Sequence, residues 1–128
     1  MINCGHVYHL RLAIAGKDKL LVPAFIAADG KVRFFVINSE RTGFQIAKTP
    51  EHVLQLLQNR NQSFLNHDSW LVCSELVGGW TVDEMQAIQG CHRGPIDNAT
   101  IAAVRALIEN SKLHSAADKT AILAQWPT

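Results

Sequence analysis

Three polar residues with chemically useful side chains stand together at His67-Asp68-Ser69, just before an apolar run over residues 70–77. His67 would act as a general acid or base, Asp68 would orient it or a substrate hydroxyl, and Ser69 would contact a phosphate. Loop residues that enter a strand often carry function because the strand fixes their position. Alternatively, Asn66 and Asp68 form a side-chain-capped turn that simply starts the strand. The triplet therefore has a catalytic and a structural interpretation.

A second polar segment, Asn38-Ser39-Glu40-Arg41-Thr42, follows another apolar run and carries a cation, an anion, two hydroxyls and an amide. The guanidinium of Arg41 is the side chain best suited to bidentate contact with phosphate. The alternative is a solvated loop, since connecting segments are generally polar and exposed. This segment is the second candidate for substrate contact.

The cysteine and histidine residues do not have the spacing of a metal site. Cys4-Gly5-His6 with His9, and Cys91-His92, lack the paired pattern of structural zinc sites, which need four ligands. No glycine-rich phosphate-binding motif occurs either. We therefore predict a site that uses neither a metal nor another cofactor.

The first third of the chain is typical of an antiparallel sheet. Alternating apolar residues over 8–14 predict a half-buried strand, and residues 16–19 predict a turn. The apolar run over 20–28 predicts a second strand, at an edge or bulged because its proline has no amide hydrogen to donate. Asp29-Gly30 then predicts a two-residue hairpin turn into a third strand over 32–37.

The rest of the chain is predicted to be mainly helical. Thr49-Pro50-Glu51 favours a helix start, and the apolar residues that follow it, Val53, Leu54, Leu56 and Leu57, predict a helical face. A strand is predicted over 70–77, and helices are predicted to begin at Thr81, Asp97 and Ser115. The order of elements predicts one α+β domain over residues 1–128: a small, strongly curved sheet (about 5–80) packed against C-terminal helices (about 81–126).

Composition limits the possible partners and compartments. The net charge of +1 excludes a global basic field for nucleic-acid binding, so any such contact needs a local patch. Three scattered cysteines argue against a disulfide framework and for a reducing compartment. No signal-peptide pattern and no apolar run of 18 residues occurs. We therefore expect a cytoplasmic protein without membrane contact.

Two segments carry a resemblance to a known family: residues 31–40 (KVRFFVINSE) and residues 64–74 (FLNHDSWLVCS), with the apolar segment after Thr49-Pro50-Glu51 between them. Together they resemble small bacterial and phage proteins of the PemK/MazF-like toxin group of type II toxin–antitoxin systems. The resemblance implies an SH3-like β-barrel with added helices, usually a homodimer. It also implies a ribosome-independent endoribonuclease that cleaves single-stranded RNA without metal, leaves a 2′,3′-cyclic phosphate and is neutralised by an antitoxin across its RNA groove.

The resemblance also assigns roles to residues. Toxins of this group carry Arg-Pro early in the second strand, where this chain has Lys19 and, four residues later, Pro23, so Lys19 would supply the cation there. Ser39 falls where the family has a catalytic hydroxyl. The predicted catalytic residues are His67, Arg41 and Lys19, and the predicted substrate contacts are Asn38, Ser39, Asp68 and Ser69.

Two alternatives remain open. One is a non-catalytic barrel, a degenerate toxin that acts as a protein- or nucleic-acid-binding module. The other is a toxin of similar fold that inhibits another target such as gyrase.

Overall fold

The computed structural model describes residues 1–12, 16–39 and 50–128, which form an α+β fold on a six-stranded antiparallel sheet. The strands are β1 (His6–Leu12), β2 (Lys17–Ile26), β3 (Lys31–Asn38), β4 (Val53–Leu56), β5 (Ser69–Thr81) and β6 (His92–Pro95). Their order in the sheet is β4-β5-β3-β2-β1-β6, so β4 and β6 form the two edges of an open sheet. The structure confirms the predicted α+β class.

Three α-helices accompany the sheet in the described ranges: α1 (Val82–Gln86), α2 (Asn98–Glu109) and α3 (Ala116–Gln125). Each begins where the capping pattern predicts. Thr81 accepts from the Glu84 amide while the Glu84 side chain returns to the Thr81 amide, and Asp97 and Ser115 cap α2 and α3. None of the described helices is long and apolar enough to cross a membrane.

Both faces of the sheet are covered by apolar side chains. Successive residues of a strand point to opposite faces, so Val22 and Phe35 belong to one cluster, and Leu21 and Phe34 to another. The first cluster packs against α2 and α3, and we call its side of the sheet the helix face. The second cluster includes Met85 of α1, and we call its side the opposite face.

Strand β2 lies inside the sheet although it contains a proline. It pairs with both β1 and β3, and a bulge interrupts its pairing with β3 between Pro23 and Phe25. Of the two predicted alternatives, an edge position or a bulge, the structure shows the bulge, because a local irregularity is enough to accommodate the missing amide hydrogen. The predicted turn over 16–19 is also wrong from Lys17 onward, since β2 begins there and pairs with the end of β1.

The hairpin between β2 and β3 falls at Asp29-Gly30, as predicted, but its turn is longer. The Ala27 amide donates to the Lys31 carbonyl at 2.8 Å, and the Gly30 amide donates to the Ala27 carbonyl at 2.9 Å. Among the described loop residues only Gly30 has a positive φ, 84°. A type I′ turn needs two such residues, so this is a three-residue loop closed by a left-handed glycine.

The helix predicted after Thr49-Pro50-Glu51 is wrong. Pro50–His52 form one 3₁₀ turn, and Val53–Leu56 form β4, which pairs with Ser69–Val72 of β5. The strand predicted over 70–77 is confirmed, but it continues through Gly78 and Gly79 to Thr81. Thr49 itself, the predicted strand end at Ile14 and the loop residues 40–49 lie outside the described residues.

Asp97 should contribute to stability in a pH-dependent way. Burial acts to raise its pKa, but hydrogen bonds from Asn61 and Thr100 outweigh this, so the pKa of Asp97 is lowered from its ordinary 3.8. A carboxyl whose pKa is lower in the folded than in the unfolded protein stabilises the fold at pH values above its unfolded-state pKa. That stabilisation is lost as the pH falls through the folded-state pKa. We expect Asp97→Ala to lower the free energy of unfolding at pH 7 by about 1–2 kcal/mol, with a smaller difference below about pH 4.

Urea unfolding at several pH values measures this effect. Asp83→Ala is the control, because Asp83 is an exposed acid in the first turn of α1. A loss for Asp97→Ala that is the same at pH 7 and pH 3 would contradict the role of its carboxylate.

Candidate functional site

A pocket of about 260 Å³ lies at one end of the sheet, where β2 begins and β3 ends. Its walls come from β1, β2, the end of β3 and the loop before β5. The lining residues are His9, Lys17, Asp18, Lys19, Leu20, Ile37, Ser39, Phe64, Leu65, Asn66, His67 and Ser69. Four of the residues predicted from the sequence, Lys19, Ser39, His67 and Ser69, are therefore brought to one place.

His67 is exposed and held by its own loop. Its Nδ1 lies 2.9 Å from the carbonyl oxygen of Asp68. A carbonyl only accepts, so Nδ1 carries the hydrogen and the neutral ring has its lone pair on Nε2. Within the described part of the chain Nε2 has no hydrogen-bond partner. The ring is therefore oriented as a base that can take a proton from a bound hydroxyl.

Two hydroxyls accompany this imidazole. Ser69 is buried at the start of β5, and its Oγ lies 3.4 Å from both Nδ1 and the carbonyl oxygen of His67. Ser39 is exposed and follows β3 directly. The two strands are neighbours in the sheet, with Asn38 paired to Trp70, so both serines lie at the same end of the sheet.

Asp68 performs a structural task in this arrangement. Its Oδ1 accepts a hydrogen bond of 2.8 Å from the Gln58 amide, which belongs to the 3₁₀ turn Gln58–Arg60. The contact joins the loop before β5 to the segment after β4. Asp68 is not among the residues that line the pocket.

Lys19 and Asn38 contact one another across β2 and β3. The Lys19 Nζ donates to the Asn38 Oδ1 at 3.2 Å. Strand alternation places this pair on the opposite face from Leu20 and Ile37, which line the pocket. Lys19 also lines the pocket, and its ammonium is held by the Asn38 side chain. Burial, and secondarily the nearby Lys17, lower the pKa of Lys19.

His9 was not predicted from the sequence as a site residue, yet it lines the pocket. It pairs with Leu20 across β1 and β2, which brings its imidazole to the side of the sheet that carries Leu20. The available signal was its alternation with apolar Tyr8 and Leu10, which marks it as exposed on a half-buried strand. That pattern does not say which distant loop covers it. Arg41, the remaining predicted catalytic residue, lies outside the described residues.

A metal has no evident place in this site. In residues 1–12, 16–39 and 50–128, no group of three or more His, Cys, Asp or Glu side chains could hold a metal ion. The described side chains that line the pocket offer imidazoles, hydroxyls, ammonium groups, the Asn66 amide and the Asp18 carboxylate.

Comparison with known proteins gives no independent assignment. No family model matches the chain, and a search of curated proteins finds no match.

Proposed function

We propose that this protein is a metal-independent endoribonuclease of the PemK/MazF-like toxin type that cleaves single-stranded RNA. The observation that supports it most directly is the pocket shared by two imidazoles, His9 and His67, and two hydroxyls, Ser39 and Ser69. Cleavage by attack of a ribose 2′-hydroxyl needs one group that takes a proton and one that gives it. An imidazole can fill either role, so two histidines can supply the pair.

In the proposed reaction, His67 Nε2 takes the proton of the 2′-hydroxyl as that oxygen attacks the adjacent phosphorus. A protonated His9 gives its proton to the 5′-oxygen as the bond between phosphorus and that oxygen breaks. The products are a 2′,3′-cyclic phosphate on one fragment and a 5′-hydroxyl on the other. The Ser39 hydroxyl donates a hydrogen bond to a phosphate oxygen as charge develops on it. The Ser69 hydroxyl, which donates to the His67 carbonyl, helps to hold the loop that carries the imidazole.

Cationic side chains supply the electrostatic part of the proposal. Lys17 and Lys19 stand at the rim, and Arg41 follows Ser39 by two positions in the chain. A net charge of +1 gives little long-range attraction for RNA, so binding depends on this local group. In this proposal Asn38 positions Lys19, and Asp68 positions the loop that carries His67.

Family membership, the SH3-like barrel, the homodimer, the antitoxin partner and a cytoplasmic location belong to the same proposal. Its support is that the two segments of resemblance, residues 31–40 and 64–74, contribute β3 and β5, which are paired side by side. The barrel goes beyond the open antiparallel sheet described above and is part of the proposal.

The test is incubation of the purified chain with a mixed-sequence single-stranded RNA in the presence of a chelator. We expect fragments that carry 2′,3′-cyclic phosphate and 5′-hydroxyl ends, identified by mass spectrometry. Intact RNA after several hours at micromolar protein, both with chelator and with magnesium, would overturn the proposal.

A non-catalytic binding module is the second candidate. Two observations favour it: the Lys19 ammonium already donates to Asn38, and the Asp68 carboxylate already has an amide partner. Such a module would bind RNA or a protein without cleaving it. Inducible expression separates these outcomes, because growth arrest with intact RNA would point instead to a toxin with another target such as gyrase.

A further inference from the structure

A second cluster of chemically capable side chains lies away from the RNA pocket, where the 3₁₀ turn Pro50–His52 meets the end of α2. His52 is 3% exposed and Ser111 is 5% exposed. The His52 Nε2 lies 2.7 Å from the Ser111 Oγ, and its Nδ1 lies 3.2 Å from the Glu51 Oε1. A carboxylate, an imidazole and a serine hydroxyl are therefore joined in series.

The hydrogen-bond directions follow from the chemistry of the three groups. A carboxylate only accepts, so Nδ1 of a neutral His52 donates to Glu51. The lone pair is then on Nε2, which accepts the hydroxyl proton of Ser111. This is the order of acid, base and nucleophile that activates serine in hydrolases, and it is recognised by geometry rather than by chain position.

The loop that carries Ser111 is held from several sides. The Lys119 Nζ donates to the Ser111 carbonyl at 2.9 Å, and the His114 Nε2 lies 2.6 Å from the Cys73 carbonyl oxygen. The amides of Leu113 and His114 donate to the Ser111 Oγ at 3.2 and 3.4 Å. These two bonds form a local turn that fixes the position of the Ser111 side chain.

The cluster opens onto a pocket of about 270 Å³. Its lining is Glu51, His52, Ala106, Leu107, Asn110 and Ser111. Ala106 and Leu107 of α2 form an apolar part of the lining, and the rest carries the three groups of the cluster and the Asn110 amide. This combination suits a small ester with a short apolar acyl group.

We propose that Glu51, His52 and Ser111 form a second active site that transfers a short acyl group from an ester to Ser111. The Ser111 Oγ attacks the ester carbonyl carbon while its proton passes to His52 Nε2. The tetrahedral intermediate expels the alcohol, which takes the proton from His52, and leaves acyl-Ser111. Water, deprotonated by His52, then releases the carboxylic acid and restores the hydroxyl. Glu51 acts as a positioning residue that holds the tautomer of His52.

This site is independent of the proposed ribonuclease. It shares no lining residue with the RNA pocket. A loss of RNA cleavage in His67→Ala therefore leaves the acyl-transfer prediction unchanged, and the two proposals fail separately.

The experiment is reaction of the full chain with a fluorophosphonate probe, followed by peptide mass spectrometry. We expect one adduct per chain, on Ser111, which Ser111→Ala abolishes. Glu51→Gln should lower the maximal labelling rate about tenfold or more while the half-saturating probe concentration stays the same. The Glu51 side chain is 64% exposed, so this variant should fold. Glu51→Asp should restore part of the rate.

Ser63→Ala is the matched control, since Ser63 is exposed and outside both pockets, and it should label like the parent chain. An unlabelled Ser111 in a folded protein would overturn the proposal. Equal labelling rates in the parent chain and Glu51→Gln would also overturn it, because a purely structural link between Glu51 and His52 would not alter the reactivity of Ser111.

Discussion

Replacement of His67 by alanine is expected to lower the rate of RNA cleavage by about 10²- to 10⁴-fold, the usual contribution of one general acid or base. The loss follows from the orientation of the ring, whose Nδ1 is fixed on the Asp68 carbonyl and whose Nε2 carries the lone pair. The side chain is exposed, so its removal leaves the apolar core intact. Initial rates on a fluorescent single-stranded RNA measure the effect.

His92→Ala is the matched control for this experiment. His92 is also exposed, but it lies on β6 and does not line the pocket. We expect it to cleave at the rate of the parent chain, whereas His9→Ala should lose activity as His67→Ala does. Parent-like cleavage by a folded His67→Ala protein would remove this histidine from the mechanism.

Phe35→Ala is expected to cost about 3–5 kcal/mol of unfolding free energy, which is a large part of the total stability of a domain of this size. Phe35 is completely buried on the helix face of β3. The centre of its ring lies 5.8 Å from the centre of the Trp126 ring and 6.4 Å from that of the His114 ring, with an edge-on arrangement in both pairs. Truncation therefore removes one of the side chains through which the sheet contacts the segment around α3, and the neighbours can fill the space only in part.

Urea unfolding monitored by tryptophan fluorescence measures this loss. Phe35→Leu, which keeps most of the apolar volume, should cost much less, about 1 kcal/mol. A shift of similar size for both variants would show that volume at this position is not what stabilises the contact with Trp126.

Strand β1 and the starts of the three α-helices were predictable because local signals determined them. The same kind of signal at Thr49-Pro50-Glu51 predicted a helix where the chain forms a 3₁₀ turn and β4. Apolar alternation located β1, and side-chain oxygens at Thr81, Asp97 and Ser115 marked the first residues of three helices. These caps involve neighbours within three positions, so no knowledge of the tertiary structure is needed.

The edge strands were not predictable in this way. Val53–Leu56 is too short for a period of 3.6 to be told from a period of 2, and its pairing with β5 decides the outcome. β6 has the sequence His-Arg-Gly-Pro and no apolar alternation, so only its hydrogen bonding to β1 makes it a strand. In both cases the neighbouring strand, rather than the segment itself, determines the structure.

The residues of the candidate sites differ in the same way: some are marked by a local sequence signal, and others are brought together only by the fold. His67 and Ser69 were accessible to prediction because they stand together where a loop enters a strand. His9 was not, because the pocket joins it to a loop almost sixty positions later. The acyl-transfer cluster was also hidden, since His52 and Ser111 are 59 positions apart and neither carries a motif.

The pairing of β1 with β6 has a consequence for how the chain folds as it leaves the ribosome. His6 and His92, which are in contact across these strands, are 86 positions apart. β1 and β2 can pair as a hairpin soon after they emerge, but the outer edge of β1 has no partner until most of the chain has followed. During that interval its free amides and carbonyls are open to strands of other nascent chains. We therefore expect the yield of folded protein to depend on how fast translation covers the distance between these two strands.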